Sequence, residues 1–221
     1  PVAAKAVEDT AFYRYGRLLS RNDVGFDAAQ LGTEPAAFHA ACGARARDFP
    51  AALLATATHD HKRGEDVRAR LAVLSEHPEA WEAVVQRWME ANKQLRPAAG
   101  PSPGDEAQLY QMIVGAWPTT LAPDDAAGCK AFAERLAGWQ QKAVREAKLQ
   151  GDWTGPDETY ETAARDFLHS LLTPGGPFAR DAAAFAQRIA PAGAVKSLGQ
   201  TLEKLTAPGL PDFFQGTEFW D

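Results

Sequence analysis

Helical periodicity runs through nearly all of this sequence, and only two short apolar runs interrupt it in a way that suggests strands. Those runs are AALLATATHD, Ala51 to Asp60, and LPDFFQGTEFW, from Leu210 to Trp220. Two lone strands cannot form a satisfied sheet, because each leaves an edge of unpaired backbone groups. The pattern therefore implies a mainly α chain whose few strands belong to a larger sheet. Far-UV circular dichroism should be helical, with strands confined to Leu53–Thr58 and Pro211–Gln215 and a third near Leu19–Val24.

The helices are read from apolar spacing and from Pro and Gly breaks. KAVEDTAFYRYGRLLS, Lys5 to Ser20, places Val7, Phe12, Tyr15, Leu18 and Leu19 roughly on one face. Further helices are expected over 34–49, 64–75, 78–95, 105–117, 124–149 and 157–172, and then as two separate pieces over 178–189 and 194–206. Trp81, Val84, Val85 and Trp88 mark one inward face; Leu109, Met112, Ile113 and Ala116 mark another. No repeat or low-complexity tract is present.

Composition excludes some classes of partner. The net charge of −6 argues against nucleic acid or an anionic membrane as the main partner, since both demand clustered cations. No apolar run is long enough to span a bilayer, and no signal peptide is visible, which makes the cytoplasm the default location. Cys42 and Cys129 are far apart, without metal-ligand spacing, and are read as reduced thiols. The chain starts at Pro1 and stops at Asp221 directly after an apolar-aromatic run, so a piece of a longer protein is expected.

The densest polar cluster is TATHDHKRGEDVRAR, Thr56 to Arg70. A solvated helix start with charge pairs accounts for Glu65, Asp66, Arg68 and Arg70. It accounts poorly for Thr58, His59 and Asp60, which close an otherwise apolar strand. A metal site on His59, Asp60 and His61 is a second reading, but neighbouring strand residues face opposite ways and only the two histidines can converge. The third reading is a sugar site at the C-terminal end of a strand. There an imidazole and a carboxylate bind vicinal hydroxyls, and the anion stabilises an oxocarbenium-like transition state. Trp117, Trp153 and Tyr160 are candidates for sugar stacking, with core packing the competing role.

Four segments carry a resemblance: PVAAKAVEDTAFYRYGRLLS, LLATATHDHKRGEDVRARLAVLSE, REAKLQGDW and APGLPDFFQGTEFWD. In this order they resemble the maltooligosyltrehalose synthases of glycoside hydrolase family 13, the α-amylase superfamily. The resemblance implies helices and a few strands of an incomplete (β/α)8 barrel plus a helical insertion domain. Residues 1–77 would hold a barrel segment with the seventh-strand motif, 78–191 the insertion, and 192–221 the final barrel helix and eighth strand. Asp60 would be the third catalytic carboxylate of a retaining intramolecular transglycosylation. His59, Lys62, Arg63, Lys5 and Glu218 are the candidate substrate-binding residues. No metal and no cofactor is implied.

The family's nucleophile and acid/base stand on the fourth and fifth strands, which would precede Pro1. The isolated chain is thus expected to be inactive, its partners being a maltooligosaccharide and the missing N-terminal half of the barrel. The alternative is a non-catalytic helical domain that binds a carbohydrate or a protein partner. Ala3, Ala6, His61 and Phe214 depart from the family's usual Met, Gly, Thr and Tyr.

Overall fold

The computed structural model describes residues 7–27, 30, 32–214 and 216. Its elements, in chain order, are α1 (Asp9–Arg14), a 3-10 turn (Leu19–Arg21), α2 (Pro35–Asp48), β1 (Leu53–Ala55) and α3 (Glu65–Ala72), which continues as a 3-10 turn over Val73–Glu76. There follow α4 (Pro78–Ala91), α5 (Pro103–Ala116), α6 (Ala126–Ala147), α7 (Glu158–Leu171), α8 (Pro177–Thr206) and β2 (Leu210–Asp212). The chain is mainly α, as the periodicities imply.

The helix starts follow ordinary capping chemistry. Ser102 Oγ accepts the Asp105 amide at 3.2 Å ahead of α5. Asp125 Oδ1 accepts the Ala127 and Gly128 amides, both at 3.1 Å, ahead of α6. Asp157 does the same for Tyr160 at 3.0 Å ahead of α7. Pro78, Pro103 and Pro177 open α4, α5 and α8, where a missing N–H costs nothing.

The core lies among α3 to α8. Leu71, Trp88, Leu109, Ile113, Phe132, Leu136, Phe167, Leu168, Phe178 and Phe185 are all buried in it. Each such aliphatic or phenyl side chain stabilises the fold by roughly 1.5–3 kcal/mol relative to exposure. Trp88 sits at the centre of an aromatic group with Trp81, Tyr110, Phe178 and Phe185, and its Nε1 donates to Asp181 at 2.6 Å.

Helix α3 is clamped between α5 and α8. A Cβ on Gly115 would stand 2.9 Å from Leu71 Cγ, and one on Gly193 would stand 2.9 Å from Arg70 Cα. Both distances are too short for any larger residue, so these glycines set how closely the three helices approach.

β1 and β2 pair in parallel, with Leu53 opposite Leu210 and Ala55 opposite Asp212. A parallel pair needs a long crossover, and here the whole helical body supplies it. The buried Lys204 locks the C-terminal ends of both strands to the start of α3. Its Nζ donates to Thr56 Oγ1 at 2.8 Å, Asp212 O at 3.1 Å and Glu65 Oε1 at 3.2 Å.

Three expectations need correction. The first helix does not run on to Ser20: it stops at Arg14, and Val7 and Tyr15 are exposed while Tyr13 turns inward. Side chains replace the helical bonds beyond it. Gln108 Nε2 donates to Tyr13 O, Gln111 Nε2 donates to Gly16 O, and Gln111 Oε1 accepts the Leu19 amide. The stretch Leu19–Val24 is a 3-10 turn and a bend, not a strand. Finally, α8 is one helix through Pro191, not two. The proline forfeits the bond to the carbonyl four residues back, a loss offset by the packing of the same stretch on α3 at Gly193.

Candidate functional site

The site is the loop that leaves β1. Thr56 and Ala57 follow the strand as a bend, a turn comes next over Thr58–His61, and Lys62–Gly64 lead into α3. The turn is closed twice. The His61 amide donates to Thr58 O at 3.1 Å, and the Thr58 amide donates to His61 Nδ1 at 2.9 Å. Nδ1 is therefore an acceptor and the imidazole is neutral. Burial is the main cause that pushes the His61 pKa below the ordinary 6.5, although Asp23 pulls the other way.

Asp60 stands within this turn, in the loop beyond the C-terminal end of β1. Its amide donates to Thr58 Oγ1 at 3.3 Å. His59 Nε2 lies 3.3 Å from Asp60 Oδ2, with the His59 side chain 80% exposed and that of Asp60 21% exposed. An imidazole and a carboxylate are thus presented together to solvent. This arrangement suits recognition of adjacent hydroxyls, the carboxylate accepting hydrogen bonds and the imidazole able to accept or donate one.

Lys62 and Arg63 turn the other way. Lys62 Nζ bonds Asp9 Oδ1 at 2.6 Å with its side chain only 1% exposed, above the Tyr13 ring. Arg63 is buried: Nη1 donates to Asn22 O at 3.0 Å and Nε lies 3.1 Å from Met112 Sδ. Burial brings the Arg63 pKa down to about 10 and is the main cause raising that of Tyr13 to about 12, so both keep their usual protonation at neutral pH. In this structure both cations anchor the loop to the helical body. Lys5 and Glu218 lie outside the described residues.

The solvated-helix reading of α3 fails. Arg68 and Arg70 are buried. Arg68 donates to the Thr56 carbonyl, and Arg70 Nη1 donates to Trp117 O at 2.7 Å. Glu65 and Asp66 bond Lys204 and Ser197 of α8. Of the candidate stacking residues, Trp117 packs on Phe132 in the core. Tyr160 is buried, its hydroxyl accepting the Ser102 amide at 2.7 Å. Trp153 is 53% exposed, with the Arg145 guanidinium 5.0 Å from its ring centre.

Sequence reading missed the residues behind the loop. Asp23 is fully buried; its Oδ1 accepts the Lys62 amide at 3.0 Å and its Oδ2 the Arg63 amide at 3.3 Å. Asn22 Nδ2 donates to Phe12 O at 3.1 Å and also to the Tyr15 carbonyl. One signal was available: Gln108 and Gln111 fall among the inward positions of α5, where a polar residue needs a partner. Among the described residues, no group of three or more His, Cys, Asp or Glu side chains is placed to hold a metal ion. No helix there is long and apolar enough to cross a membrane.

The described residues thus form a mainly α body with one parallel strand pair, and polar groups stand beyond the C-terminal ends of its strands. No protein-family model matches the chain. The chain is 36% identical over 220 residues to a putative maltooligosyl trehalose synthase of Mycobacterium tuberculosis, covering 100% of this chain and 27% of that protein. A crystal structure of a maltooligosyl trehalose synthase superposes on all of this chain and 28% of its own, with TM-score 0.85 at 35% identity. The Arthrobacter ramosus maltooligosyltrehalose synthase gives TM-score 0.81 at 36% identity, over 100% of this chain and 27% of that one. Along its whole length, then, the chain matches one segment of the maltooligosyltrehalose synthases in sequence and in fold. It spans about 27% of the length of the curated relatives it matches.

Proposed function

We propose that these residues form part of an enzyme that converts the reducing-end α-1,4 link of a maltooligosaccharide into an α,α-1,1 link, with Asp60 as one of its catalytic carboxylates. The observation that carries this reading is the placing of Asp60. It stands beside His59 in the loop that follows a parallel strand, in a chain that matches maltooligosyl trehalose synthases throughout.

In such a reaction Asp60 holds hydroxyls of the sugar next to the scissile bond and opposes the positive charge of the oxocarbenium-like transition state. His59 shares the hydroxyl contacts. Retaining transglycosylation also needs a nucleophile and an acid/base, which the family resemblance puts on other strands of a (β/α)8 barrel in glycoside hydrolase family 13. On this reading β1 and β2 are the seventh and eighth barrel strands, 78–191 is an inserted helical domain, and the rest of the barrel is the partner. The enzyme is cytoplasmic.

The decisive variant is Asp60→Asn in the full-length enzyme. Loss of one electrostatic group of this kind lowers turnover by about 100–1000-fold or more, while the melting temperature holds. Near-normal trehalosyl formation would make Asp60 a structural residue. The 221 residues alone should convert no maltopentaose in a reducing-sugar and trehalosyl assay. Turnover that tracks with the purified chain would show a complete active site within it, whereas sugar binding without turnover is the behaviour of a non-catalytic binding domain.

A further inference from the structure

We infer that Asp23 is a positioning residue for Asp60. The inference rests on the functional reading above, and it adds how the turn is held.

The turn that carries Asp60 has two feet. One is Thr58, held by the neutral His61 ring through the bond to Nδ1. The other is the Lys62–Arg63 backbone, whose two amides both end on the Asp23 carboxylate at 3.0 and 3.3 Å. Asp23 also accepts its neighbour Val24's amide at 2.9 Å, and Arg68 Nε stands 3.9 Å from Oδ2. Bonds to an ionised acceptor are about twice as strong as neutral ones, and here no solvent competes, since Asp23 is fully buried.

The carboxylate is itself fixed from behind. Asn22 bonds the Phe12 and Tyr15 carbonyls, and Gln111 of α5 bonds Gly16 and Leu19. The segment that carries Asp23 is thus tied by side-chain hydrogen bonds to the helical body, and Asp23 in turn holds the amide two residues beyond Asp60. Asp60 itself, in contrast, reaches solvent. A side chain that must meet a sugar within a few tenths of an ångström needs such support, because a displacement of about 1 Å costs roughly 100-fold in rate.

Asp23 also faces two buried guanidiniums, Arg63 and Arg68, so a purely structural role as their counter-ion is the competing explanation. The two roles separate in a double-mutant cycle on the full-length enzyme with maltopentaose. Asp23→Asn should lower kcat by about 10–100-fold, with KM changed far less. Added to Asp60→Asn it should cost almost nothing further, since there is then no carboxylate left to position.

If the two losses multiply, or if folded Asp23→Asn keeps normal kcat, the positioning role is overturned while the role of Asp60 stands. If Asp60→Asn alone is active, the functional reading falls and takes this inference with it. Should Asp23→Asn not fold, Asp23→Glu decides, since it keeps the charge that faces Arg63 and Arg68 while its longer arm displaces the oxygens that accept the Lys62 and Arg63 amides. A kcat lowered in the wild-type background and unchanged in the Asp60→Asn background supports positioning, and any other result overturns it.

Discussion

The helical body and the strand-bearing end of this chain treat their apolar side chains in opposite ways. In the body, Leu71, Leu109, Ile113 and Phe167 are completely buried. Around the strands, Leu53 and Leu198 are each 71% exposed, and Leu202, Leu205 and Leu210 are also open. Val195, Leu198, Leu202 and Leu205 recur at helical spacing along the second half of α8, which makes a continuous apolar stripe. α2 contributes no buried residue at all. The body closes on itself; the strand end displays faces that suit further layers of structure. Polar pins, chiefly Lys204 and the Asp23 network, join the two, and the candidate site lies on that join.

The largest effect is expected in the body. Trp88→Ala removes the centre of the aromatic group and leaves Asp181 without its indole donor. It should destabilise the chain by about 3–5 kcal/mol, read by urea denaturation. A loss as small as that of a surface substitution would show that the body is not the stable unit.

An intermediate effect is expected at the join, from pH. The folded pKa of His61 lies below its ordinary 6.5 because of burial, so the unfolded chain takes up the proton first. Stability contributed by neutral His61 is complete above pH 6.5. It declines as the pH falls below that value, and is lost once the folded pKa is passed. Acid titration of the melting temperature should show this slope, and His61→Gln should flatten it. An identical slope in the variant would assign it to other groups.

The smallest effect on stability should come from the stripe. Leu198→Gln with Leu202→Gln should change unfolding free energy by no more than about 0.5 kcal/mol for each exposed site. Light scattering of the isolated chain should nonetheless fall, because the variant removes apolar surface open to self-association. A large stability loss would mean that this half of α8 is already packed.

The body was legible from sequence because its determinants are local. The stripe Val84–Trp88 and the inward set Leu109, Met112 and Ile113 follow helical period, and Pro and Gly mark the ends within a few residues. The candidate pair His59–Asp60 was legible for a similar reason: two polar groups at the end of an apolar run need an explanation that solvation alone does not supply. Lys62 and Arg63 show where this reasoning stops. Beside His59 and Asp60 in sequence, they looked like further sugar-binding groups, yet the backbone turn directs them into the body, where Asp9 and Asn22 wait.

What the sequence determined by itself is the helical class, the approximate span of most helices and the two short strands. Tertiary structure alone decided that the first helix stops at Arg14, that α8 runs through Pro191, and that Asp23 stands under the site loop. The physical reason is range. Helical period and caps act within a few residues, and they leave their mark in neighbouring letters. The bonds from Gln108 and Gln111 to the chain after α1, the contact of Gly193 with Arg70 and the grip of Asp23 on Lys62 and Arg63 join residues far apart in the chain. Each can override a local preference, because an unpaired buried amide or carbonyl costs about 1–3 kcal/mol, more than most propensities are worth.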